Sequence, residues 1–242
     1  MTRRLVPRVV LVTGGNRGLG LSCANAFAEQ GDRVAVTYRT DIPSEVRKAG
    51  FLAVQCDVTD TEQVEASFDE IEETIGPIEV LVANAGIHRD VRTHKMSDDT
   101  FTDVLETNLT GAFRVARRAT RNMMSSRWGR IVFISSIVGR IGATGAANYA
   151  ASKSGLVGLS RSLAQELGRW NITVNVVAPG PLRTGMGAAL SDEIREAYRE
   201  AIPLGRLGDP DEVSEVVRFL ASEHASYMTG AVIPVDGGLS MG

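Results

Sequence analysis

Arg8-Val-Val-Leu-Val-Thr13 predicts a short buried strand, which leads directly into the turn Gly14-Gly-Asn-Arg-Gly-Leu-Gly20 and then into a helical pattern. Strand, glycine turn and helix in this order form the context that a dinucleotide site requires. Gly14 permits the tight turn, Gly18 lets the backbone approach a pyrophosphate, and Gly20 lets helix and strand pack closely. A glycine loop alone can be an ordinary turn, but its place after the first strand favours cofactor binding.

The rest of the chain alternates short apolar runs with longer amphipathic segments. This alternation predicts an α/β fold with a doubly wound, parallel seven-stranded sheet of Rossmann type. We expect a single domain over residues 1–242. Strands are predicted near 8–13, 33–38, 51–56, 78–83, 130–136, 172–178 and 231–235. Helices are predicted near 18–30, 61–75, 98–126, 148–167, 191–201 and 210–222, with a short irregular one within 40–47.

Composition narrows the class of protein. With 43% apolar and 23% charged residues, the 242-residue chain has the make-up of a globular domain large enough for a sizeable core. Its net charge of −3 argues against a general nucleic-acid binder. No apolar run reaches the roughly 20 residues of a membrane helix, and the start lacks a secretory apolar core. Two cysteines without metal or disulfide spacing favour the cytoplasm. His88 and His94 lack partners at metal-ligand spacing, so we expect no metal.

A second motif, Tyr149-Ala-Ala-Ser-Lys153, carries the chemistry. Positions i and i+4 share one helix face, so the phenol and the amine can point into the same space. A nearby ammonium favours the phenolate, and the motif therefore predicts a lowered tyrosine pKa and proton transfer near pH 7. Ser136, at the end of an apolar strand, offers a hydroxyl that can hold a substrate oxygen. By itself such a pair is more often a surface feature, and the other motifs decide against that interpretation.

Taken together, these motifs resemble those of the short-chain dehydrogenase/reductases, from Val9 to Gly238. The match includes the glycine loop from Thr13 to Gly20, the Asn84-Ala-Gly86 motif, and the loop at Pro179-Gly180. Within the family the chain is most similar to bacterial, especially actinobacterial, 3-oxoacyl-acyl-carrier-protein reductases. The resemblance implies reduction of a 3-oxoacyl thioester to the 3-hydroxyacyl form in fatty-acid synthesis.

The resemblance also assigns roles to individual residues. It implies four catalytic positions, namely Asn108, Ser136, Tyr149 and Lys153. In related enzymes the backbone carbonyl at the asparagine holds a water that extends a proton path from the lysine. The implied cofactor-binding residues are Gly14, Asn16, Arg17, Gly18, Leu19, Arg39, Asp57, Val58, Asn84, Gly86, Tyr149, Lys153, Pro179, Gly180, Leu182 and Thr184.

The residues after the second strand bear on the choice of nicotinamide. Enzymes selective for NAD usually place an acid there to bind the ribose 2′-hydroxyl, whereas this chain has Arg39, with Asp41 two residues later. A guanidinium matches a 2′-phosphate, and Arg17 can add a second cation. The alternative is that both arginines are merely solvated. We expect NADPH/NADP⁺ as the cofactor.

The rim of the expected site departs from the family pattern. The departures are Arg92, Thr93 and His94, then Ala146, and then Pro181 and Arg183. They indicate either a more polar or bulkier substrate or neutral drift at an exposed edge. Three hypotheses follow: a 3-oxoacyl thioester reductase, a ketoreductase of a polyketide or other specialised pathway acting on another ketone, and a non-catalytic NADP-binding regulator. The intact catalytic positions argue against the third.

The expected partners follow from charge and from the resemblance. The arginines Arg114, Arg117, Arg118, Arg121, Arg127 and Arg130 form a basic run that either attracts an acidic acyl carrier protein or is a solvated helix face. Docking is expected near Arg127 and Arg169, beside Trp170. Relatives form tetramers, so we expect a homotetramer, with Gly155 and Gly158 allowing close helix approach. The stretch from Pro179 to Ser191 is predicted to be a mobile lid or a plain connecting loop. No nucleic acid or membrane is expected.

Overall fold

Short apolar strands build one parallel sheet in the computed structural model, which describes residues 7–185 and 191–241. All neighbouring strands are parallel, in the order β3-β2-β1-β4-β5-β6-β7. The seven-stranded Rossmann-type prediction is therefore confirmed. The strands are β1 Val9–Val12, β2 Arg33–Tyr38, β3 Leu52–Gln55, β4 Val80–Ala83, β5 Gly129–Ile134, β6 Ile172–Pro179 and β7 Val232–Val235.

Helices connect the strands and cover both faces of the sheet. Across the described ranges, none of them combines the length and apolar character needed to cross a bilayer. They are α1 Gly18–Glu29, α2 Ser44–Lys48, α3 Thr61–Ile75, α4 Asp98–Leu105, α5 Gly111–Ser126, α6 Val138–Ile141, α7 Ala147–Leu167, α8 Asp192–Ala201 and α9 Pro210–Leu220.

The strands are apolar throughout because both faces of the sheet are buried. Successive side chains of a strand point to opposite faces, so Leu11 and Leu81 pack into one core while Val10 and Val82 pack into the other. The first core lies under α3, α5 and α7, and the second lies under α1 and α9. This arrangement confirms the doubly wound architecture.

The strand order creates a crevice between β1 and β4. The chain runs from β1 outward to β3 and then returns to place β4 on the other side of β1. In such sheets the loops at the carboxyl ends of these two strands diverge, which leaves room for a ligand at that edge. The glycine turn follows β1 and Asn84 follows β4, so both stand at this crevice.

The predicted single helix over 98–126 is wrong in its middle. A π-helical turn, Glu106–Thr110, separates α4 from α5 and contains Asn108. Such turns are common at functional sites, since the extra residue changes the direction in which side chains leave the helix. Here the Asn108 side chain bonds to residues distant in sequence, Ile87 and Ser152, and not to its own helix.

Most of the predicted basic run is occupied by ion pairs. Arg118 is buried and binds Glu65, Asp69 and Glu72, which joins α5 to α3. Arg121 shares the Glu65 carboxylate at 2.8 Å. Elsewhere in the run, Arg114 pairs with Glu106, and the buried Arg130 donates to backbone carbonyls. The run is therefore chiefly an internal brace, and Arg127 is a separate exposed position at the end of α5.

A substitution at Gly20 tests whether α1 packs closely against the glycine turn. A Cβ there would overlap the Gly14 carbonyl oxygen and come within 2.5 Å of Asn84 Nδ2. We expect Gly20→Ala to lower the free energy of unfolding by about 1–3 kcal/mol, because the turn must shift. Gly168→Ala is the control, since a Cβ there would meet no atom of the described residues within 4 Å. Urea unfolding measures both, and equal stability of the two variants would contradict this packing.

Candidate active site

Each predicted site segment follows the carboxyl end of a strand. The glycine turn follows β1, Asp57 comes two residues after β3, Asn84 follows β4, and Ser136 comes two residues after β5. Gly180 follows β6 directly. The parallel topology therefore brings these segments, distant in sequence, to one edge of the sheet.

The glycine turn is held in shape by Thr13 and Asn84. Gly14 has a φ of +61°, a left-handed conformation that favours glycine. The Thr13 hydroxyl accepts from the backbone N–H groups of Asn84 and Ala85, at 3.0 and 3.1 Å. In return, Asn84 Nδ2 donates to the carbonyls of Thr13 and Gly14. The side-chain amide of Asn84 thus links the loop after β4 to the glycine turn after β1.

The start of α1 is chemically suited to a phosphate group. Its N-cap residue, Arg17, makes no side-chain capping bond, and the first turn holds no acid. By contrast, Asp60 caps α3 and Ser97 caps α4 with side-chain oxygens. The first N–H groups of α1 therefore lack the side-chain acceptors that α3 and α4 have. A pyrophosphate supplies such acceptors together with the charge that the helix dipole favours. Gly18 and Leu19 lie in this turn, and the cofactor implied by the motif fits here.

Two exposed arginines border the position where an adenosine ribose would lie. Arg17 stands at the α1 N-terminus and Arg39 directly follows β2. Asn16 Nδ2 donates to the Asp41 carbonyl at 2.9 Å, which ties the glycine turn to the loop after β2. Within the described residues neither guanidinium forms a salt bridge. This contact uses the backbone of Asp41 and not its carboxylate.

The remaining predicted cofactor positions lie along the same edge. The partly buried Asp57 accepts from the Thr59 backbone and hydroxyl, and Val58 is buried against Gly111. Gly86 is exposed at the crevice.

The segment predicted to be a lid is attached at its beginning. Pro179 is the last residue of β6, and Gly180 N donates to the Val235 carbonyl at 2.9 Å. Leu182 forms an isolated parallel β-bridge with Gly208, and the exposed Arg183 forms a salt bridge with Asp209. Thr184 is exposed. Residues 186–190 of the predicted lid lie outside the described part of the chain.

Helix α7 carries Tyr149 and Lys153 on its buried face. Tyr149 is 9% exposed, and the Ser136 side chain lies close enough to its hydroxyl to lower the pKa of the phenol. Lys153 is 4% exposed, with Nζ 5.6 Å from the centre of the tyrosine ring. That amine donates to the Ile134 carbonyl at 2.8 Å, and so ties α7 to the end of β5. Three of the four predicted catalytic side chains are therefore adjacent.

The predicted lowering of the Tyr149 pKa by Lys153 is wrong. Burial raises the pKa of Tyr149 to about 12, although the Ser136 side chain acts in the other direction. Burial also lowers the pKa of Lys153 to about 8. Desolvation penalises the charged form of both groups and is the largest cause of each shift. The geometry therefore favours a protonated phenol beside an amine that titrates near neutrality.

Asn108 holds the site together from the other side. It is 1% exposed, and its side chain exchanges two 2.8 Å hydrogen bonds with the backbone of Ile87. It also donates to Ser152 Oγ at 3.1 Å, and that hydroxyl donates to the Tyr149 carbonyl. The fourth predicted catalytic residue is thus linked to the tyrosine through Ser152.

Sequence reasoning missed two buried residues beside the tyrosine. Asn148 accepts from Tyr149 N and donates to the carbonyls of Arg89 and Thr100, while Ser152 completes the link to Asn108. The signal was available: Ser152 stands three positions after the tyrosine, and hence on its helix face. A metal site is a separate matter, and over the described ranges no cluster of three His, Cys, Asp or Glu is placed to bind one.

Comparisons with known proteins agree with this site. A family model described as enoyl-(acyl carrier protein) reductase matches residues 14–240. The 3-oxoacyl-[acyl-carrier-protein] reductase MabA of Mycobacterium tuberculosis is 51% identical over 237 residues, 98% of this chain and 94% of the relative. The chain belongs to the short-chain dehydrogenase/reductase family.

More distant bacterial relatives extend this result. The 3-oxoacyl-[acyl-carrier-protein] reductase FabG of Aquifex aeolicus is 44% identical over 247 residues, 99% of this chain and all of the relative. FabG of Escherichia coli is 42% identical over 238 residues, 97% and 98% of the two chains. The chain is therefore a short-chain reductase, an oxidoreductase, and the predicted NADPH/NADP⁺ cofactor is confirmed at the level of the family.

The burial of Lys153 has a measurable consequence for this short-chain reductase. Its pKa of about 8 lies below the ordinary value of 10.5, so between these pH values the unfolded chain binds more protons and stability rises with pH. We expect the wild type to gain about 1–2 kcal/mol relative to Lys153→Met between pH 8 and 9.5. The raised pKa of Tyr149 opposes this gain only above pH 10.

Urea unfolding at a series of pH values measures this difference. Lys95→Met, which removes an exposed lysine, is the matched control. Parallel pH profiles for the wild type and Lys153→Met would contradict the buried amine.

Proposed function

We propose that this enzyme uses NADPH to reduce the ketone of a 3-oxoacyl thioester, carried by an acyl carrier protein, to the 3-hydroxyacyl form in fatty-acid synthesis. The observation that carries the proposal is the buried Tyr149 phenol beside Ser136 and Lys153, at the same edge of the sheet as the glycine turn. The bacterial relatives are 3-oxoacyl-[acyl-carrier-protein] reductases, and their activity supports the substrate class.

The proposed mechanism assigns a distinct task to each side chain. When bound, NADPH supplies the hydride. The Ser136 hydroxyl holds the carbonyl oxygen, and Tyr149 donates its proton to that oxygen. The phenol carries a proton at neutral pH because its pKa lies well above 7, and it can donate that proton to the strongly basic alkoxide that hydride addition would create.

Lys153 and Asn108 support the tyrosine in this proposal. The Lys153 amine titrates near pH 8, so it can exchange a proton close to neutrality and return one to the tyrosinate. It also serves as the group that grips the nicotinamide ribose, as the resemblance implies. The Asn108 side chain is fully used in holding Ile87 and Ser152, which leaves its backbone carbonyl as the proposed site of a proton-relay water.

Substrate selectivity tests the proposal, because the family model is described by enoyl reduction and the relatives by 3-oxoacyl reduction. We expect NADPH oxidation with acetoacetyl carrier thioester, yielding the 3-hydroxyacyl product by mass spectrometry, and no turnover of crotonyl carrier thioester. Tyr149→Phe should lower kcat by about 10²–10⁴ and leave NADPH binding intact. Reduction of the enoyl thioester, or full activity of Tyr149→Phe, would contradict the proposal.

The preference for NADPH rests on Arg39 and Arg17. Both are exposed cations at the crevice, and the link between Asn16 and Asp41 holds their two loops together. A guanidinium forms paired, charge-assisted hydrogen bonds with a phosphate and has no comparable partner in a ribose hydroxyl. We therefore assign the 2′-phosphate of NADPH to these two arginines.

Reversing the charge of Arg39 tests this assignment. Arg39→Asp should lower kcat/KM for NADPH about 10- to 100-fold, the effect of losing charge-assisted bonds, while kcat/KM for NADH rises or stays constant. Arg33→Asp, at the opposite end of β2, is the matched control. Equal efficiency of the unmodified enzyme with both cofactors would rule the preference out.

Carrier docking is proposed at a surface formed by Arg127, Arg169 and Trp170. The two guanidinium groups lie 5.4 and 4.6 Å from the indole ring. An acidic carrier could bind both exposed cations. This surface precedes the amino ends of β5 and β6, whereas Tyr149 and Ser136 lie at the carboxyl edge. A carrier held here would therefore deliver its acyl group to a neighbouring subunit.

The docking proposal predicts a selective kinetic effect. Arg127→Glu should raise KM for a carrier-bound substrate at least about tenfold and leave KM for acetoacetyl N-acetylcysteamine unchanged, because only the carrier contacts this surface. Arg33→Glu controls for an added negative charge. An equal change for both substrates, or no change for either, would contradict docking at Arg127.

Assembly and location complete the proposal. We propose a homotetramer in the cytoplasm. Of the two predicted glycines, Gly155 packs against Leu109 of its own chain. At Gly158 an added Cβ would meet no atom of the described residues within 4 Å, so we propose that a partner helix approaches there. The exposed Phe113 on α5 adds apolar surface. The free, buried Cys23 and Cys56 are typical of a reducing compartment.

A further inference from the structure

His88 lies beside the catalytic tyrosine, in the loop after β4, and has no part in the proposed mechanism. Its ring meets the Tyr149 ring at 77°, with the two centroids 6.5 Å apart. The imidazole is exposed, whereas Tyr149 is almost fully buried. His88 therefore borders the accessible side of the tyrosine, where a substrate would enter.

The backbone on both sides of His88 is tied to buried groups. Ile87 exchanges two hydrogen bonds with Asn108, and the Arg89 carbonyl accepts from Asn148 at 3.1 Å. Asn148 precedes Tyr149 in α7 and is itself fully buried. These anchors hold the loop at a constant position relative to the tyrosine, and hence give the imidazole a defined place at the entrance.

The imidazole offers a hydrogen-bond donor directly beside the Tyr149 ring. A neutral imidazole has one N–H donor, and within the described residues neither of its nitrogens is hydrogen-bonded. Asp90 carries a carboxylate, which only accepts, and Arg89 lies 3.8 Å from the Asp103 carboxylate. A carbonyl oxygen arriving at this entrance needs a donor, and His88 supplies one.

We infer that His88 is a specificity-determining residue that donates a hydrogen bond to the thioester carbonyl of the substrate. The inference rests on the proposed function, in which the 3-oxo group is bound by Tyr149 and Ser136. The thioester carbonyl of such a substrate lies two carbons from that ketone, toward the carrier. His88 thereby distinguishes 3-oxoacyl thioesters from simple ketones, which lack the second carbonyl.

Paired variants separate the hydrogen bond from the ring contact. His88→Phe keeps an aromatic ring against Tyr149 but has no N–H, whereas His88→Gln keeps an N–H donor and has no ring. For acetoacetyl N-acetylcysteamine we expect His88→Phe to lower kcat/KM about three- to tenfold and His88→Gln to stay within twofold of the wild type. The exposed His94 supplies the control His94→Phe.

A simple ketone, 2-pentanone, provides the second comparison, with NADPH affinity measured for every variant as a test of folding. Any turnover of the ketone should be unchanged in His88→Phe. The inference is overturned if His88→Phe leaves thioester reduction unchanged, if His88→Gln falls equally, or if ketone reduction falls in parallel. A wild type that cannot reduce the thioester would contradict the proposed function itself, whereas an active wild type with an unaffected His88→Phe contradicts only this inference.

Discussion

The buried ammonium of Lys153 is the interaction on which the site depends. Its hydrogen bond to the Ile134 carbonyl joins α7 to the end of β5, and this junction brings Tyr149 to Ser136. Burying a cation is costly, and the cost appears as the lowered pKa of the amine. Apolar packing of the same helix, for example by Leu156 in the core, offsets this unfavourable free energy. The buried Lys153 therefore lowers the stability of the fold at the position where proton transfer is needed.

A polar frame around α7 gives the site its precision. Asn108, in the π-helical turn, reaches Ile87 after β4 and Ser152 on α7, while Asn148 reaches Arg89 in the same loop. Each of these buried amides is fully bonded, so the frame stabilises one arrangement of the crevice. The tyrosine and the loop that carries His88 are consequently held at fixed relative positions before any ligand binds.

Patterns that depend on local periodicity could be predicted from the sequence. The apolar runs around Val9–Val12 and the other strands predict buried parallel strands, and the spacing of Tyr149 and Lys153 predicts a shared helix face. Features that depend on three-dimensional burial could not. The pKa of Tyr149 rises because the phenol is desolvated, and Arg118 is an internal brace because α3 places three carboxylates beside it. Neither environment can be predicted from the spacing of residues or from the composition of the sequence.

A crystal structure of the enzyme with NADP⁺ tests the central claim most directly. The claim is that the crevice between β1 and β4 delivers the nicotinamide to Tyr149. The account predicts that the phenol and the redox carbon of the nicotinamide face one space small enough for a single carbonyl group to contact both, with the 2′-phosphate on Arg39. A nicotinamide ring turned away from Tyr149, or a cofactor bound outside the glycine turn, would contradict it.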